Sequence, residues 1–215
     1  MSSVQVAEFK EPPHFDPLST EQLTRIICRQ FEEQPSFSLR QPMPRFDGAG
    51  LYAIYYHGES VALYQPLRDV AIPLYVGQAR SYNSATGVGQ RSPRPLWSRV
   101  EQHRRSIMGG GLPVEEFGVR LLRMPDVHID MGEDGLRRGY QPVWNSVLTG
   151  FGSHEQGSTT RQSKQSKWDT VHSGRSRTYG QERRDYDVLV RKTKEKIVMQ
   201  IEEFPNLPWH KSLDQ

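Results

Sequence analysis

Two stretches decide the fold: GLYAIYY at residues 50–56 and PLYVG at residues 73–77. The first is dense in aromatic side chains and reads as a strand. The second reads as another strand that stops at Gly77. Between them, His57, Gly58 and Glu59 make a turn, and VALYQ at 61–65 is expected to pair back as a strand of its own. Residues 78–94 form a long Ser/Gly/Pro/Arg loop, a length that inside a compact domain usually carries function. A helix is expected from Pro95 to Ile107, ended by Gly109–Gly111. EEFGVRLLRM at 115–124 reads as a strand, and 130–139 and Pro142–Leu148 as short helices. Upstream, residues 1–17 form an irregular arm with Pro12, Pro13 and Pro17. Ser19 with Gln22 has capping-box spacing and opens a helix through Glu33, with Leu23, Ile26, Ile27 and Phe31 as its apolar stripe. Residues 34–49 read as an extended connector. Downstream, 151–185 is a second long polar loop, and a last helix runs from Tyr186 to Glu203. This order predicts an α+β fold with a small, three-stranded, largely antiparallel sheet flanked by helices.

The chain has 215 residues and a formal net charge of +3. It divides into an N-terminal arm and helix (1–49), a core (50–148), and a loop with a C-terminal helix that packs as one domain with the core (149–215). No run approaches the roughly 20 apolar residues of a membrane span. The N-terminal MSSVQVAEFKEPP lacks an apolar signal core, so a cytoplasmic location is expected. Cys28 is the only cysteine, which excludes an intramolecular disulfide and a cysteine-rich zinc site. Charge is unevenly spread. Residues 79–110 carry six arginines against Glu101, a local +5, and residues 151–185 carry seven basic against four acidic residues, a local +3. Two basic segments on a nearly neutral chain fit a polyanion partner or two solvated loops.

Gly50-Leu51-Tyr52 and Tyr75-Val76-Gly77, the tyrosines 23 residues apart, resemble the two signature triplets of the GIY-YIG nuclease superfamily. Leu51 and Val76 stand in for the two isoleucines. Arg99 and His103 follow four apart on the next helix, then Glu133, then Asn145 twelve residues later within PVWN. The match covers roughly residues 50–148. The flanks TGFGSHEQG at 149–157 and WDTVHSGR at 168–175, with the helical arm before the core, resemble the type II restriction endonuclease branch. The resemblance implies a metal-dependent phosphodiesterase that uses Tyr52, Tyr75, Arg99, His103, Glu133 and Asn145.

Each residue type suits that chemistry. Phosphoryl transfer is catalysed mainly by positioning and electrostatics. Glu133 is the candidate metal ligand, because Mg²⁺ takes oxygen ligands and keeps several waters. Mn²⁺ is the alternative ion, and Asp130 and Asp134 are local competitors for the ligand role. Arg99 can hold a phosphate through two parallel hydrogen bonds. His103 would share its helix face and could bind phosphate or orient or deprotonate water. Tyr52 is a candidate base or water-orienting group. Only about one unperturbed tyrosine in a thousand is ionised near pH 7, so a base role requires a nearby cation to depress its pKa. Tyr75 would hydrogen-bond the water or phosphate beside it. Strand tyrosines also commonly fill cores. Asn145 serves catalysis directly or holds the Glu133 segment in place.

The basic loops are the expected DNA readers: Arg80, Arg91, Arg94, Arg104, Arg161, Lys164, Lys167, His172 and Arg175. The branch implies double-stranded DNA as partner, a homodimer matched to a palindromic site, a GC-rich hexanucleotide such as CCGCGG, and a cognate DNA methyltransferase in the host. Two readings stand beside it: a monomeric GIY-YIG nuclease of repair or homing type, and a non-catalytic DNA-binding module.

Overall fold

A computed structural model describes residues 16, 19–82, 88, 93–152, 164–176 and 182–211. Four strands form one antiparallel sheet in the order β1-β4-β2-β3: β1 Ser36–Ser38, β2 Gly50–Tyr56, β3 Tyr75–Ala79 and β4 Phe117–Arg123. Among the described residues there are six α-helices: α1 Thr20–Glu32, α2 Pro95–Gly109, α3 Asp126–Tyr140, α4 Val143–Ser146, α5 Lys167–Val171 and α6 Tyr186–Glu203. The architecture is α+β, as expected, with a four-stranded sheet where a three-stranded one was expected. None of these helices is long and apolar enough to cross a membrane.

β2 is central and buried along its whole length, because helices cover both faces. Alternate residues sort by face. Leu51 points to the α1/α3 side, where it meets Gly132 of α3 and lies beside Ile27 of α1. Tyr52 points to the α2 side, within 2.6 Å of His103. The pairing Tyr52↔Gly77 and Leu51↔Gln78 extends this division to β3. The core is strongly aromatic: Trp144, Trp168, Tyr52, Tyr55, Tyr56, Tyr64, Phe31, Phe117 and Phe151 are all fully buried.

The structure corrects several sequence expectations. Residues 61–65 are not a strand. Tyr64 and Gln65 donate back to the Val61 carbonyl at 2.9 and 3.2 Å, and these local bonds lead into a 3-10 turn at Gln65–Leu67. β2 and β3 are therefore direct neighbours. The fourth strand, β1, lies in the expected connector and pairs with β4. Ser19 makes no side-chain cap to α1. Asp16 does instead, accepting from the Thr20 N–H at 2.8 Å and its hydroxyl at 2.9 Å. α3 begins four residues earlier than expected. The second polar loop contains α5, capped where Ser166 accepts from the Asp169 N–H at 3.0 Å.

Candidate active site

The geometry of the site starts from two glycines. Gly50 sits at φ +156°, and a Cβ there would fall 2.1 Å from the Leu122 carbonyl oxygen. It lets β2 close against β4. A Cβ on Gly77 would fall 2.4 Å from Tyr52 Oη and 2.6 Å from Cζ. The missing side chain on β3 is the bed on which the Tyr52 ring lies.

Around that ring the structure gathers Tyr52, Tyr75, Arg99 and His103. Tyr52 Oη lies 2.6 Å from His103 Nε2. The ring of Tyr75 stands 6.1 Å from that of Tyr52 and 5.2 Å from that of His103. One turn before His103 on α2, Arg99 donates to Gln102 Oε1 and to the Gly152 carbonyl, both at 2.8 Å. Burial raises the Tyr52 pKa well above its ordinary value, reinforced by Tyr75, and the Arg99 guanidinium opposes this without overcoming it. Tyr75 is raised for the same reason, with Arg99 lowering and Glu133 raising it. The condition for a free phenolate, a cation that depresses Tyr52, is not met by Arg99: the hydroxyl is held in its protonated form and has His103 as its partner.

Glu133 approaches from α3. Its side chain is 17 % exposed. Gln78, on the α3 side of β3, donates to Glu133 Oε2 at 2.7 Å and to Asp130 at 3.2 Å. Burial raises the Glu133 pKa, while Arg137, Gln78 and Arg80 hold it down. The site straddles β3, with the tyrosines and histidine on one side and the carboxylate on the other. Among the described residues, no group of three or more His, Cys, Asp or Glu could hold a metal ion. A single half-buried carboxylate still fits Mg²⁺, which keeps most of its waters and shares its remaining positions with substrate phosphate.

Asn145 does not hold the Glu133 segment. Its Oδ1 accepts from the Val76 N–H at 2.8 Å and its Nδ2 donates to the Val76 carbonyl at 2.9 Å. The amide satisfies the N–H and the carbonyl that Val76 turns away from β2 on the edge strand β3, as a neighbouring strand would.

The expected DNA readers fare unevenly. Arg80 is tied to Asp130 and donates to Gln78 Oε1 at 3.0 Å, one residue away from Glu133. Arg94 pairs with Asp47 at 3.4 Å. Arg104 donates to the Leu39 and Arg40 carbonyls at 2.9 and 3.2 Å, bracing the connector against α2. Lys164 pairs with Glu182, and Lys167 opens α5. Arg91 and Arg161 lie outside the described residues. His172 and Arg175 lie away from solvent. His172 is buried against Tyr64, with Nε2 2.6 Å from the hydroxyl. The Arg175 side chain is 6 % exposed and pairs with Asp169 at 2.5 Å. Both face inward because the fold supplies them with buried partners.

Sequence reasoning missed Gln78, Phe151 and Gly152. The Phe151 ring stacks on His103 at 4.6 Å and packs edge-on to Tyr75 at 5.1 Å. A Cβ on Gly152 would fall 2.2 Å from Tyr75 Oη. Phe151 and Gly152 had one sequence signal, the Gly-Phe-Gly triplet at 150–152, and Gln78 had none beyond its place next to Gly77.

A family model described as the Eco29kI GIY-YIG domain matches residues 44–205, which span every residue of this site. No curated protein matches the chain.

Proposed function

This chain belongs to the Eco29kI GIY-YIG domain family of type II restriction endonucleases, and from that premise we propose that it cuts both strands of a short, GC-rich palindrome in double-stranded DNA as a Mg²⁺-dependent homodimer. A restriction-type nuclease acts on DNA; the palindrome, the ion and the dimer are the proposal. The observation that carries the chemistry is the 2.6 Å contact between Tyr52 Oη and His103 Nε2, both buried, with Arg99 one helical turn away.

In this mechanism Tyr52 donates its hydroxyl hydrogen to His103 Nε2, which accepts in the Nδ1-protonated tautomer. As water attacks phosphorus, Tyr52 takes the water's proton while its own passes to His103, so no free phenolate is needed. The bond from phosphorus to the 3′ oxygen breaks, the departing oxygen takes a proton from solvent water, and His103 returns its proton to solvent through Tyr52 to reset the pair. Arg99, kept in place by its bond to the Gly152 carbonyl, would turn its remaining donors to the phosphate, where charge develops. Tyr75 orients water or phosphate beside Tyr52. Glu133, fixed by Gln78, would hold the Mg²⁺, whose chemistry there is Lewis-acid stabilisation of the phosphate and the departing oxygen. Two copies, one active site each, match the two strands of a palindrome. A host methyltransferase would protect the same site.

The test is cleavage of mixed-sequence phage DNA with Mg²⁺, with EDTA, and with Glu133→Gln, followed by sequencing of the ends. Discrete fragments that need both Mg²⁺ and Glu133, with one palindrome at every end, are expected. Persistent nicks would point to a monomeric nuclease. Salt-sensitive binding without product would point to a binding module.

A further inference from the structure

The segment 164–176 packs beside the active site through Trp168 on Phe151, and its arginine faces inward. We propose that Arg175 is a positioning residue of the active site, holding the strap Gly150–Gly152 that seats His103 and Arg99. The proposal rests on the nuclease reading above.

The guanidinium of Arg175 has contacts on several sides. Nη1 donates to the Phe151 carbonyl at 3.1 Å, and Nη2 to the Gly150 carbonyl at 3.2 Å. Nε meets Asp169 at 2.5 Å, and the plane lies 4.2 Å over the Trp168 ring. A planar fork with five donors can make these contacts together, and a lysine ammonium cannot reproduce them. The two carbonyls belong to the strap whose next contacts are catalytic. Phe151 stacks on the His103 ring at 4.6 Å. The Gly152 carbonyl holds Arg99 at 2.8 Å. Gly152 also closes on the Tyr75 hydroxyl.

The same segment grips the far end of α2, the helix that carries Arg99 and His103. A Cβ on Gly174 would fall 2.5 Å from the Gly109 carbonyl oxygen, and one on Gly110 would fall 2.4 Å from Trp168 Cη2. Trp168 is also anchored to the strap's start, its N–H donating to the Thr149 carbonyl at 3.1 Å. Arg175, Asp169 and Trp168 thus join the helix end to the strap, and the catalytic pair sits between them. This gives WDTVHSGR and Gly109–Gly111 one shared task.

The test compares Arg175→Lys and Phe151→Leu with Tyr64→Phe. The last removes the hydroxyl that anchors His172 in the same segment but touches neither strap carbonyl. Three readouts are taken on the full chain: the single-turnover cleavage rate at saturating DNA, DNA affinity in EDTA, and the NMR shifts of the His103 ring protons without DNA. Arg175→Lys and Phe151→Leu should slow cleavage about 10–100-fold, the cost of ångström-scale misplacement, with DNA affinity unchanged. The His103 ring protons should move downfield as the stacked Phe151 ring departs. Tyr64→Phe should lower Tm and leave the rate and the His103 shifts alone. Weaker DNA binding with an intact rate in Arg175→Lys would overturn the proposal and return Arg175 to the DNA contacts. A cutting wild type with unmoved His103 signals in Arg175→Lys would overturn it as well. A wild type that cuts no DNA would sink the nuclease reading and this role with it.

Discussion

Asn145 offers a prediction that separates structural from chemical roles. Its amide answers both the N–H and the carbonyl of Val76 at 2.8 and 2.9 Å, and Val76 is fully buried. Asn145→Leu keeps the bulk and removes both partners. A buried polar group left unpaired costs about 1–3 kcal/mol. The edge position and the half-buried Asn145 admit some water, so two such groups should cost about 2–3 kcal/mol in total, at the low end of that range. That is a large part of the roughly 5–15 kcal/mol that holds a domain folded.

Asn145→Asp gives the sharper test. The introduced carboxyl accepts from the Val76 N–H in either ionisation state, but donates to the Val76 carbonyl only when protonated. Folding therefore favours its neutral form and raises its pKa above the unfolded value of ~3.9. A raised folded pKa means that the folded state binds more protons. The stability it contributes is complete below the unfolded pKa and is lost as pH rises through the folded one. Urea unfolding of both variants across pH is the assay. Asn145→Asp should be about as weak as Asn145→Leu at pH 7 and gain on it as pH falls toward about 4. Equal stability of Asn145→Leu and wild type, or no relative gain of Asn145→Asp in acid, would refute the clamp.

Three further outcomes follow from the site. Tyr52→Phe should lower the single-turnover cleavage rate by about 10²–10⁴-fold, the usual worth of a positioned proton-transfer group, while DNA binding in EDTA stays unchanged. Gly77→Ala places a methyl 2.4 Å from Tyr52 Oη; it should cost about 1–3 kcal/mol of stability as overpacking and abolish cleavage by tilting the ring, read by urea melts and plasmid assay. Burial, with the charge of Arg175 adding to it and that of Asp169 opposing, pushes His172 down to about 4. The unfolded chain then binds the extra proton first, so up to about 3 kcal/mol of stability is lost as pH falls from ~6.5 to about 4. His172→Gln should flatten that limb, and an unchanged limb would refute the buried neutral imidazole.

The parts of the fold legible in the sequence are those whose signal is local. β2 announces itself by aromatic density, β3 by the short apolar run Leu74–Val76 before Gly77, and α2 by Pro95 at its start and glycines at its end. Tyr52, Arg99 and His103 were legible because their spacing matches a family pattern. β1 was not: its three residues, Ser36–Ser38, are all exposed and show no alternation of apolar and polar side chains. The α1 cap lies at Asp16, four residues before Thr20, outside the capping-box register that Ser19 and Gln22 displayed. The false strand at 61–65 had the right side chains, but its N–H groups found a nearer carbonyl in Val61.

The arginines show the deeper reason why the site was only half legible. A count of basic residues treats each as a solvated charge waiting for phosphate. What decides its role is the nearest acceptor the fold brings up. Arg175 meets Asp169 six residues away, but the Gly150 and Phe151 carbonyls lie 25 and 24 residues away. Arg104 meets carbonyls some 65 residues away, and Arg80 meets Asp130 across the β3–α3 junction. In the 151–185 segment, Arg175 and Lys164 are already matched by Asp169 and Glu182. The local excess of positive charge therefore measures DNA contact poorly. An arginine with buried acceptors shapes the site, and only one left facing solvent adds to the phosphate-binding surface. Increasing salt should accordingly weaken DNA binding with a slope set by the exposed cations alone, and Arg175→Lys should leave that slope unchanged.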